Sequence, residues 1–152
     1  AFRPRFRVVF DRAGLRGILS AMELRIAIEG DIVEREELLN GTQVLTLEGV
    51  SGDGAWRMSG ALSWNIGLRE AAEGDITLSR ADGAELFGTL VGAEVRELAG
   101  VESGEGGHAM RLEYEIDGGS GAFEGAEGRA SAEGELLAAA FRGVWSVSLK
   151  AG

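Results

Sequence analysis

Residues 116–128, IDGGSGAFEGAEG, hold five glycines and a single aromatic, Phe123. Three readings compete: a disordered spacer, a phosphate-binding loop, or a tight corner between two β-strands. The flanks decide. Upstream, MRLEYEID (110–117) alternates, with Met110, Leu112, Tyr114 and Ile116 on one face and Arg111, Glu113, Glu115 and Asp117 on the other. Downstream, 128–136 has the pattern of a second strand. A P-loop needs a following helix with a lysine and a Ser/Thr, and a dinucleotide fingerprint needs a βαβ unit; neither surrounds this stretch. The glycines therefore mark a corner between strands.

The two-residue period extends along the chain. In RFRVVFD, Phe6, Val8 and Phe10 share a face, and in AMELRIAIEG, Met22, Leu24, Ile26 and Ile28 oppose Glu23, Arg25, Ala27 and Glu29. WRMSGALSWNIGL sets Trp56, Met58, Leu62, Trp64, Ile66 and Leu68 together; FRGVWSVSLK does the same for Phe141, Gly143, Trp145, Val147 and Leu149. An amphipathic helix would repeat at three and four residues, so this period means half-buried strands. Shorter candidates at 43–48, 74–80, 84–97 and 128–136 bring the total to about eight or nine. SGDGA (51–55) and RADGAE (80–85) read as hairpin turns, the latter through its Asp-Gly pair. AGVESGEGGHA (99–109) reads as a longer flexible connection. Only 11–20 and DIVEREELLNG (31–41) lean towards helix, the latter stopping at Asn40-Gly41. The expected fold is all-β: one domain over 1–152, a single antiparallel β-barrel of about eight strands, preferred over a sandwich because closure hides both the apolar face and the edges.

Composition bounds the function. The 152 residues suffice for one core, and 45% of them are hydrophobic. A net charge of −10 repels phosphate backbones, so nucleic acid is not an expected partner. There is no cysteine, which excludes disulfides, thiolate nucleophiles and cysteine-ligated zinc. No apolar run is long enough for a membrane-spanning helix, and AFRPRFRVVF lacks the features of a signal peptide, so a cytoplasmic location without membrane partners is expected.

Little of the polar inventory forms a recognisable site. His108, the only histidine, falls in SGEGGHAM, where a solvated loop histidine is the expectation; neither a catalytic base nor a zinc site is supported. No calcium loop occurs, and no metal or cofactor is expected. Glu23, Glu29, Glu113 and Glu115 fall on outer faces. Glu85 and Glu94 lie in a segment apolar on both faces and are the carboxylates expected to turn inward, where burial would raise their pKa. The aromatic set is more informative. Trp56, Met58, Trp64, Met110, Phe141 and Trp145 share the inward phase and would wall a cavity for a small hydrophobic ligand, although plain core packing accounts for the same pattern. Tyr114, also inward, is the candidate catalytic group, a hydrogen-bond donor that polarises a carbonyl.

GGSGAFEGAEG also resembles the G-G-[ST]-G-x-F-x-G-A-x-G segment of the allene oxide cyclase-like barrel superfamily, through Gly118, Gly119, Ser120, Gly121, Phe123, Gly125, Ala126 and Gly128. LEYEI, FRGVWSVSLK and EGDITLSRADGAELFGTLVG are similar to flanking strands and a hairpin of such barrels, so the resemblance spans roughly 74–150. It implies a calycin-like barrel whose corner phenylalanine plugs the core, assembly as a homodimer or homotrimer, and an intramolecular cyclase or isomerase acting on a polyene- or polyketide-derived substrate. Some bacterial relatives carry out cycloadditions that need little acid–base equipment. The plant cyclase's cysteine has no counterpart here. Two other readings stay open: a carrier barrel that binds an apolar molecule unchanged, and a structural or oligomer-forming barrel with a filled interior. A core without a pocket near Trp64 and Trp145 favours the last.

Overall fold

The computed structural model describes residues 5–10, 18–65, 68–97 and 107–150, with side chains over 22–64, 73–96 and 107–150. Of the helical leaning expected at 11–20, residues 11–17 lie outside the described residues and 18–20 are strand. Of the connection expected at 99–109, residues 99–106 lie outside them and strand begins at His108. Ile66 also lies outside. The inward phase expected of Phe6, Val8, Phe10 and Leu68 lies outside the described side chains.

Among the described residues nine strands follow one another: β1 (Arg5–Phe10), β2 (Ile18–Glu37), β3 (Gln43–Ser51), β4 (Trp56–Asn65), β5 (Leu68–Arg80), β6 (Glu85–Glu97), β7 (His108–Ser120), β8 (Gly128–Leu136) and β9 (Ala140–Leu149). Each pairs antiparallel with the next, and β2 also pairs with β9 from Met22↔Leu149 to Asp31↔Ala140, so β2 to β9 close an eight-stranded barrel. The antiparallel barrel read from the alternation is the fold. β1 lies outside the ring, on the first part of β2. Apolar side chains fill the inside and charged ones cover the outside, the reverse of an outer-membrane barrel wall.

The lumen is filled by offsetting large against small. Across one inner row Trp145 neighbours Ala132 and Ile26; in the adjacent row Gly143 faces Gly134. A Cβ on Gly143 would come within 3.0 Å of the Trp145 ring, so the glycine leaves the volume that the indole occupies.

Two expectations fail for one reason, the β-bulge. Between Ile32 and Glu34 the β2–β3 register shifts. Val33 is thereby extruded, the strand continues to Glu37, and the segment expected as helical turns is strand, with a turn only at 39–41. Past the bulge Arg35 takes the phase of Leu45 and donates to the carbonyls of Leu137 (3.4 Å) and Ala138 (3.2 Å) at the barrel rim. A second shift, between Leu90 and Gly92, extrudes Val91 and flips the phase of β6. Leu86 and Leu90 point inward before it, and Ala93 and Val95 pack inward after it. Glu85 and Glu94 therefore both face outward, not into the barrel, and Glu85 accepts a 3.0 Å bond from the Ser79 hydroxyl.

The glycine-rich stretch is a corner. β7 ends at Ser120, a single 3-10 turn spans Gly121–Phe123, and Gly121 and Gly125 adopt positive φ of 60° and 76°. Phe123 is buried, with its ring centroid 5.9 Å from that of Trp56. On its other side the Arg80 guanidinium stands 4.8 Å from the ring centroid, held by bonds of 3.0 and 2.6 Å to Asp82. That pairing lowers the Asp82 carboxyl to about 2, aided by the Ala84 amide. Gly119 is needed for a different reason: its Cβ would sit 2.3 Å from the Phe123 carbonyl oxygen. Adjacent Gly118 has only an ordinary 3.6 Å neighbour. Gly119→Ala is expected to cost about 1–3 kcal/mol, the range for forced overpacking, while Gly118→Ala costs under about 1 kcal/mol; urea midpoints at unchanged slope measure both.

Candidate functional site

All seven residues proposed for the site are buried with inward phase: Trp56, Met58, Trp64, Met110, Tyr114, Phe141 and Trp145. They do not form one wall. Trp56 and Trp64 stand eight positions apart on β4, roughly 26 Å along the strand at about 3.3 Å per residue. Trp56 joins Phe123 at the corner end. Trp64 stands at the opposite end, where its ring meets His108 edge-on at 6.1 Å. Phe141 and Trp145 are in T-shaped contact at 6.0 Å.

His108 departs from expectation. It opens β7 in the inward phase, half-buried against Trp64, rather than sitting in a solvated loop. The alternation of MRLEYEID continues two residues upstream to reach it, which the neighbouring glycines obscured.

The interior is packed. Trp145, Leu45, Leu62 and Leu112 have 0% of their surface open, and Trp56 and Phe141 have 1% and 2%. A molecular chamber against these rings would leave them contactable surface even if sealed from solvent. The interior's polar atoms are donors. The indole N–H of Trp64 has no acceptor among the described residues, and that of Trp145 has only the Tyr114 oxygen near it, short of full hydrogen-bond geometry. Burial raises the Tyr114 phenol pKa, and the negative charge of Asp75 adds to this; the indole of Trp145 opposes both in part. Tyr114 is thus held protonated, able to donate but not to act as a base. It lies beside Leu90, where the β5–β6 ladder, which runs from Asp75↔Thr89 to Ser79↔Glu85, has ended.

A concavity of about 810 Å³ lies instead on the outer wall, across β2, β9, β8 and β7. Its floor carries short side chains, Ser131, Ser146 and Ser148, and the main chain of inward-facing Tyr114 and Val147. Arg25 and Arg129 flank it, and Glu23 and Glu113 border it. Sequence reasoning missed this feature, although serines at successive outward positions of β9 (SVSLK) signal a wall without long side chains. A second, more polar hollow of about 470 Å³ includes Met58. None of the three tryptophans lines either hollow.

Among the described residues no cluster of histidine, cysteine or carboxylate side chains is placed to hold a metal ion, and no helix is long and apolar enough to cross a membrane. No family model, curated protein or solved structure matches this chain.

Two outcomes follow. Trp145→Ala is expected to destabilise by about 3–5 kcal/mol through a cavity, whereas Trp145→Phe costs only about 1–2 kcal/mol because most of the buried ring area is kept; chemical denaturation separates them. Tyr114 is the only tyrosine, so absorbance near 295 nm reports it alone. With its folded pKa raised, its contribution to stability is complete below about pH 10, its unfolded value, and declines as pH rises beyond that. Phenolate absorbance should appear together with loss of tertiary circular dichroism, not before.

Proposed function

We propose that the protein is a binding scaffold: its barrel interior is structural, it works at its outer wall, and it assembles as a homodimer or homotrimer. The observation that carries this reading is the closed surface of Trp56, Phe141 and Trp145, which leaves no room for a molecule among them. The outer hollow has the volume of a small-molecule site, and small-molecule sites fall between roughly 300 and 1,000 Å³. Exposed Val33, Leu38 and Leu39, at the bulge and tip of the β2–β3 hairpin beyond the end of β9, supply an apolar patch for self-association.

A second reading keeps the ligand inside: a cyclase or isomerase of the allene oxide cyclase-like kind, or a carrier, that takes an apolar molecule bearing a carbonyl or ether oxygen. Two buried indole donors favour it, Trp64 without an acceptor and Trp145 with only the Tyr114 oxygen near it, because such groups ordinarily find a partner. Tyr114 would add a third donor. With no inward carboxylate described, catalysis would consist of holding a reactive conformer. The short β5–β6 ladder is the place where the wall would open.

Incubation with conjugated polyenes and unsaturated epoxides, followed by native mass spectrometry and chromatography of the extracted small molecules, separates the readings. The scaffold reading expects tryptophan emission that is blue and poorly quenched by acrylamide, with no polyene retained or converted. A retained polyene that quenches the tryptophans establishes the carrier, and a new isomer of it establishes the enzyme.

A further inference from the structure

We infer that the outer hollow is a site for a small organic anion, a carboxylate or phosphate joined to a short apolar body. This rests on the outer-wall reading above and gives that wall a ligand class. The register builds the site. Arg25 on β2 faces Ser146 on β9, which faces Ser131 on β8; one step along, Glu23 faces Ser148, which faces Arg129. Two guanidiniums thus stand on opposite sides of a floor of serine hydroxyls.

Their lack of partners is the second observation. In a chain of net charge −10, three described arginines are ion-paired, Arg80 with Asp82 at 2.6 Å, Arg111 with Glu133 at 2.8 Å and Arg142 with Glu135 at 2.6 Å, while Arg57 and Arg96, outside the hollow, are not. Arg25 and Arg129 have no ion-pair partner among the described residues, although Glu115 faces Arg129 across the β7–β8 ladder. A guanidinium presents a planar fork of donors that matches carboxylate and phosphate oxygens, and the serine hydroxyls donate alongside it. Val91, the residue extruded by the β6 bulge, and Val144 and Ala27 offer apolar contact for the remainder of the ligand.

The test is titration of the whole chain with hexanoate, hexyl phosphate and hexanol, followed by amide chemical shifts. Either anion should move the amides of 129–131 and 144–148, weaken with added salt, and bind about tenfold or more tightly than the alcohol, since charged hydrogen bonds of this kind are each worth a factor of ten or more. The tighter anion identifies the headgroup. The double substitution Arg25→Ala/Arg129→Ala changes two exposed side chains, so it should retain the dispersed spectrum while losing about tenfold or more in anion affinity. The inference is overturned by equal binding of alcohol and anions, by undiminished affinity in the double variant, or by no shift with either anion. Shifts centred on Trp64 and Trp145 would overturn the scaffold reading as well; silence at both places removes only the ligand.

Discussion

The pairing of β2 with β9 is the constraint on which the other features depend. It turns a meander with two open edges into a ring, and a ring of eight strands has a lumen wide enough only for side chains or one small ligand. Once the diameter is set, every inward position becomes a question of volume. Trp145 fits because Gly143, Gly134 and Ala132 surround it, and the same accommodation leaves its ring no open surface. β2 bears most of this load. Its twenty residues pair with β1, β3 and β9 in turn, and it does so by bulging once at Val33.

Filling the lumen moves the functional question to the wall. Inside, a raised Tyr114 and the indole groups of Trp64 and Trp145 are donors fixed in an apolar medium, and no inward carboxylate is described beside them. Outside, the strands that supply the bulkiest core residues also supply the shortest exterior ones. β9 carries Trp145 and Val147 inward and Ser146 and Ser148 outward, so a single strand both closes the core and hollows the exterior. Alternation couples these two roles: a shift of one residue in β9 would destroy both.

The barrel was legible because alternation is a direct trace of a two-sided sheet, and the corner was legible because strands flank its glycines. What alternation does not announce is the place where it breaks. Val33 and Val91 sit at bulges, and each made its neighbourhood misleading: IVEREELL looked helical, and the segment holding Glu85 and Glu94 looked apolar on both faces. Phase is a running count, and an uncounted residue inverts everything downstream of it. The inward aromatics were identified correctly, but not their grouping. Alternation reports which face a residue takes and not its height, so Trp56 and Trp64, eight residues apart on one strand, share a face and still end up at opposite ends. The groove was hidden for a related reason: Arg25, Ser146 and Ser131 become neighbours only through register.

Closure also shapes how the chain reaches this state. Every other ladder joins strands adjacent along the backbone, so hairpins can zip locally at small loop-closure cost. The seam alone requires Met22 to find Leu149 across almost the whole polypeptide. Until it does, β9 offers a free border and the indole of Trp145 lacks its inner neighbour Ile26. The late intermediate of such a molecule is an unsealed sheet with an adhesive rim, and crowding or heat would divert it at this one seam into pairing with another chain.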